Sequence, residues 1–227
     1  MGFRLDKIRT LIWVGDSKKR LKEFPKQGQK DIGDALYLAQ IGEHPPFAKP
    51  LKGIGGGVFE IVKPFDKETY RAVYAVRVGE NLFVLHAFQK KSKKGIATPK
   101  PDIEIIKRRL KAVKDLEESD EKKEKFEKSS GNVFADLGLE DSEELRLKAE
   151  LGAEIFRILN RRKLTQADAA ELLGIDQPQV SRLKNGEFNR FSVSRLFSFL
   201  NRLNRKVEVR VSRYRRGDRY QEVHVSV

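Results

Sequence analysis

The 227-residue chain has no cysteine, one methionine, one tryptophan and three histidines. Without cysteine there is no disulfide framework, no thiolate metal site and no cysteine nucleophile. No acidic pair or metal-ligand cluster stands out either, and no cofactor is expected. Apolar runs fall far short of the ~18 residues that a membrane span needs. Residues Met1 to Val14 carry scattered charges and no signal-peptide core. No repeat of ~20–50 residues is visible. These absences predict a cytoplasmic protein that does not engage a membrane.

What the chain has is charge. Lys and Arg number 47 against 33 Asp and Glu, a net +14 with 35% of residues charged, while 39% are hydrophobic. At ~100–200 residues per domain this is one large domain or two small ones. A basic globular protein attracts polyanions, nucleic acid foremost. The charge is also uneven: residues 1–114 carry +13, residues 115–150 carry −7 and residues 151–227 carry +8. The acidic bridge begins Asp115-Leu116-Glu117-Glu118 and has few apolar residues before Phe126. Such a stretch buries little surface and predicts a linker or solvated helix extension. The expected division is therefore a first block over 1–116, a linker with the start of the second block over 117–140, and a second block over 141–227.

In the first block, Leu11 to Val14 reads as a strand ending at Gly15, with Asp16 or Ser17 capping a short helix to about Phe24. Ile32, Ala35, Leu36 and Ala39 recur at helical spacing up to Gly42. Strand-like runs follow over 58–63, 69–78 and 81–88, joined by connections short enough for an antiparallel meander. Asp102 to Val113 closes the block as an amphipathic helix. This predicts an α+β fold with a small antiparallel sheet. In the middle strand Tyr70, Ala72, Tyr74 and Val76 share one face, and Arg71, Val73, Ala75 and Arg77 the other. The next strand places Leu82, Val84, His86 and Phe88 on one face; a lone histidine there is more often a hydrogen-bonded core residue than a catalyst. Lys90, Lys91, Lys93 and Lys94 follow it, either a solvated loop or a phosphate-attracting patch.

These segments carry a resemblance. Lys49-Pro50-Leu51-Lys52-Gly53, Tyr70-Arg71-Ala72-Val73-Tyr74-Ala75, Val84 to Ser92 with its LHAFQKKS run, and Thr98-Pro99 before the last helix are similar to the phage-derived Gp49-like, HigB-type toxins of the RelE superfamily. The resemblance implies a metal-independent endoribonuclease that cuts mRNA, usually on the ribosome, by attack of a ribose 2′-hydroxyl on the adjacent phosphate. That chemistry needs cations at a dianionic transition state and groups to move protons. On this basis Arg71, Lys90, Lys91 and His86 are the catalytic candidates, Arg71 as transition-state stabiliser, and Lys52, Arg77, Lys93 and Lys94 the RNA-binding ones.

The second block opens with a long helical pattern over 142–162. Leu164 to Gly186 then has the parts of a helix-turn-helix. Thr165 and Asp168 sit in capping-box spacing, and Gly174 suits a left-handed helix exit. Asp176 or Gln177 can cap the next helix, Pro178 suits its first turn, and Asn185-Gly186 its end. Ser192 caps a further apolar helix. The pattern resembles the Xre/Cro family, and residues 125–139 resemble HigA-type antitoxins. The resemblance implies operator DNA as partner, a recognition helix in the major groove and a repressor role. Gln166, Gln177, Gln179, Ser181, Arg182 and Lys184 are the DNA-binding candidates, with Gln177 and Gln179 able to pair with adenine and Arg182 with guanine or phosphate.

Alternating residues over 206–212 and 220–227 predict C-terminal strands, hence a homodimer. The whole is expected to be a fused toxin–antitoxin in which the acidic segment covers the basic toxin face, in cis or swapped between chains. The alternatives are a non-enzymatic transcription regulator with a degenerate RelE-like domain and an RNA-binding module without a repressor role.

Overall fold

The structure, a computed structural model, describes residues 8–66, 68–78, 80–90, 98–115 and 125–208. Strand β1 (Leu11–Val14) leads through Gly15 to helix α1 (Ser17–Lys22) and then, past Pro25, to α2 (Lys26–Gln40). Strands β2 (Ala48–Pro50), β3 (Val58–Phe65), β4 (Glu68–Val78) and β5 (Asn81–Lys90) follow, then α3 (Lys100–Asp115). The second part contributes strand β6 (Phe126–Lys128) and helices α4 (Val133–Asp136), α5 (Ser142–Arg161), α6 (Gln166–Leu173), α7 (Gln177–Lys184) and α8 (Val193–Arg202). A 3-10 turn, Phe188–Arg190, separates α7 from α8. The layout is thus a mixed sheet with helices, followed by an all-helical region. Among the described residues no helix is long and apolar enough to cross a membrane.

The sheet order is β2-β3-β4-β5-β1-β6. Strands β3, β4 and β5 form the expected antiparallel meander, β1 pairs parallel with β5, and β6 pairs antiparallel with β1. Each sheet face has its own core. Leu11, Trp13, Ile61, Tyr70, Ala72, Tyr74, Leu82 and Val84 lie in a cluster with Ile32, Leu36 and Ala39 of α2. Val14, Val58, Val73, Ala75, Phe83, Leu85 and Phe88 lie in another with Ile106, Leu110 and Val113 of α3.

The strict alternation expected of β5 is broken by a bulge. Val73 pairs with His86 but Tyr74 pairs with Val84, so Leu85 is an extra residue. Side-chain direction reverses there. Leu82 and Val84 therefore face α2 while His86 and Phe88 face α3, which corrects the expectation that the four share a face.

The first cluster also contains Val133, Phe134, Leu137, Leu139, Leu145, Ala149, Ala153, Phe156 and Phe188, all from the second part of the chain. Helix α5 makes this possible because it is apolar on two stripes rather than one. Leu145, Ala149, Ala153 and Phe156 pack toward α2, while Leu151, Ile155, Ile158 and Leu159 pack with α6, α7 and α8. Phe134 approaches α2 so closely that a Cβ on Gly33 would lie 2.4 Å from its ring, so only glycine fits there.

Candidate functional sites

The α3-facing side of the sheet carries three of the polar groups singled out in the first block, Arg71, His86 and Lys90. Arg71, on β4, is 5% exposed, and its Nη1 donates to Glu60 Oε2 of β3 at 2.8 Å. Thr98, just before α3, donates its hydroxyl to Glu60 Oε1 at 2.8 Å and lies 3.5 Å from Arg71 Nη1. Glu60 thus bridges an arginine and a hydroxyl at a site 7% exposed. Lys90 ends β5 opposite Thr69, and Phe88 pairs with Arg71. By strand parity Lys90 and Arg71 lie on the same sheet face. Lys52 is exposed on the loop between β2 and β3. Lys91, Lys93 and Lys94 lie outside the described residues, as does the side chain of Arg77.

His86 stands behind this group, fully buried. Its Nδ1 is 3.3 Å from Arg109 Nη1, and its Nε2 is 2.9 Å from Asp102 Oδ1. A guanidinium only donates, so Nδ1 accepts and the ring proton sits on Nε2, directed at Asp102. Burial pushes the imidazole below its ordinary value; Asp102 opposes that and Arg109 reinforces it. Arg109 also donates to Leu85 O at 2.9 Å and pairs with Asp16, which Arg20 binds from α1 at 2.7 Å. Burial would raise Asp16, but the hydrogen bonds from Arg20 and Arg109 outweigh it and hold the carboxyl at about 2. With both ring nitrogens engaged and no exposed surface, His86 ties α3 to β5 rather than facing a substrate.

Glu60, Thr98, Asp102 and Arg109 were not singled out in the sequence as site residues. A lone glutamate in a strand reads as solvent-facing. Only its register, with Glu60 opposite Val73 and two pairs along from Arg71 on the same face, could have flagged it.

The described residues of the acidic segment do not cover this face. Strand β6 extends the β1 edge, α4 packs on α2, and α2 lies on the opposite side of the sheet from Arg71. The +13/−7/+8 pattern is accommodated instead by edge contacts such as Lys18 with Glu127 at 2.7 Å and Lys30 with Asp141 at 2.6 Å.

In the second part the caps are as the sequence implies. Thr165 and Asp168 form a reciprocal capping box on α6. Gly174 ends that helix at φ +61°, a conformation that costs most other residues about 1–2 kcal/mol. Asp176 accepts from Gln179 N at the start of α7. Val180 and Leu183 turn into the core; Gln166, Gln177 and Arg182 are exposed, and Gln179 and Ser181 half-exposed. Lys184 was expected outward with them. Its Nζ instead donates to Leu164 O at 2.6 Å, tying α7 to the loop before α6. Arg195, at the start of α8, donates to Gln179 Oε1 and adds a cation to the same surface.

Comparison with known proteins matches residues 19–111 to the family described as phage-derived protein Gp49-like and residues 133–212 to a helix-turn-helix domain family. The chain joins a Gp49-like domain to a helix-turn-helix domain. A solved structure described as an XRE-family transcriptional regulator is 38% identical, covering 37% of this chain and 96% of its own, with a TM-score of 0.34. No curated protein matches the chain. The two blocks meet in the shared core, the first through β1, which precedes its matched residues, with α2 and the sheet, the helix-turn-helix block through α4, α5 and Phe188. The strands expected at 206–212 and 220–227 fall mostly outside the described residues, and residues 206–208 are not in a strand.

Proposed function

We propose that this chain is a fused toxin–antitoxin. Its Gp49-like block is a metal-independent mRNA endoribonuclease of the RelE type, and its helix-turn-helix block binds operator DNA and represses transcription. The observation that carries the nuclease reading is the Arg71–Glu60–Thr98 cluster, which places a carboxylate, a guanidinium and a hydroxyl together on the sheet face that Lys90 shares.

In this reading Glu60 takes the proton from a ribose 2′-hydroxyl as its oxygen attacks the adjacent phosphorus. The bond from phosphorus to the 5′-oxygen breaks, and Lys90 or Lys91 returns a proton to the leaving oxygen. The products are a 2′,3′-cyclic phosphate and a 5′-hydroxyl. Arg71 gains most at the transition state, where the phosphorane oxygens carry the most charge. Lys52, Arg77, Lys93 and Lys94 hold the RNA backbone. His86 acts indirectly, by positioning α3 and Thr98.

Latency follows from bulk rather than occlusion of Arg71. The helix-turn-helix block is packed along the β1 edge and onto α2, so the sheet enters a narrow ribosomal cleft only once that block has left. Gln177, Gln179, Arg182 and Arg195 read or hold DNA, Gln166 and Ser181 support them, and a dimer through the C-terminal strands presents two recognition helices. The reading is tested by incubating RNA in EDTA with the full chain and with the N-terminal block, cut from it within 116–124, separated in denaturant and refolded. Cleavage leaving cyclic phosphate ends, lost in Arg71→Ala, is expected. A full chain and a folded released block that both leave RNA intact would favour the non-enzymatic regulator.

A further inference from the structure

The turn that follows the recognition helix is bolted to the Gp49-like block. Helix α7 ends at Lys184, and residues 186–190 run into the first block. Gly186 lies against Leu38 of α2, and Glu187 Oε1 accepts from Lys63 Nζ of β3 at 3.3 Å. Phe188 is fully buried in the shared core. Asn189 is clamped on three sides. Its backbone N–H and side-chain Nδ2 donate to Asp34 Oδ2 at 3.1 and 2.6 Å. The same Nδ2 is 2.9 Å from Asp31 Oδ1, and Asn189 Oδ1 accepts from Gln27 Nε2 at 2.7 Å. Gln27 also donates to Asp31 at 2.8 Å, and Arg190 reaches Asp31 Oδ2 at 3.5 Å.

We propose that the Gp49-like block sets how tightly the chain reads DNA, with Gln27, Asp31 and Asp34 acting through Asn189 as positioning residues for α7. This rests on the DNA-reading role proposed above. The physical argument is length. Helix α7 has eight residues, too few to hold its own position; Val180 and Leu183 bury in its own block's core, Gln179 bonds Arg195 of α8, and Lys184 ties it to the loop before α6. Its placement depends on what its two ends are fixed to. One end is capped by Asp176 within its own block; the turn that follows the other is fixed to α2 and β3 of the neighbouring one. Base-edge hydrogen bonds tolerate displacements of only about half an ångström, whereas phosphate contacts by long cationic side chains tolerate more. Loosening the clamp therefore costs sequence reading before it costs general DNA attraction.

The test uses the full chain and a duplex enriched by the wild-type protein from a random-sequence library, with a scrambled duplex of the same composition for non-specific binding. Asn189→Ala is expected to weaken binding to the selected duplex about tenfold, and Gln27→Ala, which removes one half-buried amide, by less. Affinity for the scrambled duplex and the salt slope stay as in wild type, because the phosphate contacts remain. Asp34→Asn keeps the acceptor for Asn189 and retains most of the affinity. A purely structural role would lower the thermal midpoint and the folded fraction without changing the Kd of folded protein or its preference for the selected duplex. Should Asn189→Ala not fold, Gln27→Ala decides. Wild-type Kd in the folded variants, with Gln179→Ala losing binding, overturns the clamp alone. A library with no enriched duplex, or a Gln179→Ala variant that binds normally, overturns the DNA-reading role and the clamp with it.

Discussion

Trp13 of β1 donates its indole N–H to Asp136 Oδ2 of α4 at 2.9 Å, across 123 residues of sequence. Trp13 belongs to the Gp49-like block's sheet and Asp136 to the helix-turn-helix block. Burial alone would raise Asp136, but hydrogen bonds from Ser129, Ser130 and Trp13 outweigh it and lower it. The bond lies beside Phe134 packed on Gly33 and beside β6 paired with β1. The two blocks are therefore joined by a common hydrophobic core and a common sheet as well as by the peptide chain.

A shared core predicts shared unfolding. Trp13 is the only tryptophan, so its fluorescence reports the junction, while far-UV circular dichroism is dominated by helices such as the 20-residue α5. Urea transitions followed by the two signals should coincide. Phe134→Ala should lower stability by about 3–5 kcal/mol, and Trp13→Phe by about 1–3 kcal/mol through the loss of a buried donor. Two separated transitions would show that the blocks unfold independently.

Cutting the connection should not part the blocks. A protease site introduced within 116–124 and cleaved to completion is expected to leave two fragments that co-elute on size exclusion at neutral pH and separate only in denaturant. Elution as two free fragments in plain buffer would contradict the junction described here.

Asp34 makes the junction sensitive to pH. Burial raises its carboxyl from 3.8 to about 7, with Asp31 adding to the effect and the bonds from Asn189 and the charge of Lys63 opposing it. The folded state then binds a proton between about pH 4 and 7 that the unfolded chain has released. Stability attributable to Asp34 falls as pH rises through that window and is level above it. Asp34→Asn should flatten this slope in chemical unfolding at pH 5, 6 and 7. A slope identical to wild type would place the titration elsewhere.

Much of this organisation is legible in the residues themselves. The caps at Thr165, Asp176 and Ser192 and the exit at Gly174 are local devices, fixed by a few neighbouring residues, so spacing reveals them. The meander follows from short connections. What spacing does not reveal is non-local. The bulge at Leu85 arises from how β5 meets β4, and it alone carries His86 to the α3 side. Strand β6 has three residues and no apolar alternation of its own. In α5 the two stripes merge into one broad apolar surface when no partner is known, so Leu145 reads as part of the same stripe as Leu151. Glu60 acquires meaning only when Arg71 is seen beside it.

Replacing Glu60 separates chemistry from packing. Glu60→Gln keeps an acceptor for Arg71 and can donate its amide to the Thr98 hydroxyl but cannot accept a proton, so RNA cleavage should drop about 10²–10⁴-fold with little change in binding. Thr98→Val should have a smaller effect, through a less firmly held Glu60. Equal losses of binding and cleavage in Glu60→Gln would mean that the residue is structural.

The most direct test of the nuclease assignment is the rate at which single-stranded RNA is cut in EDTA by the wild-type and Arg71→Ala chains, with the ends of the products identified. Free RNA meets no ribosomal cleft, so the full chain should cut it to 2′,3′-cyclic phosphates, and Arg71→Ala should be slower by about 10²–10³-fold. Intact RNA with both the full chain and its folded, released N-terminal block, or equal rates with and without Arg71, would contradict it.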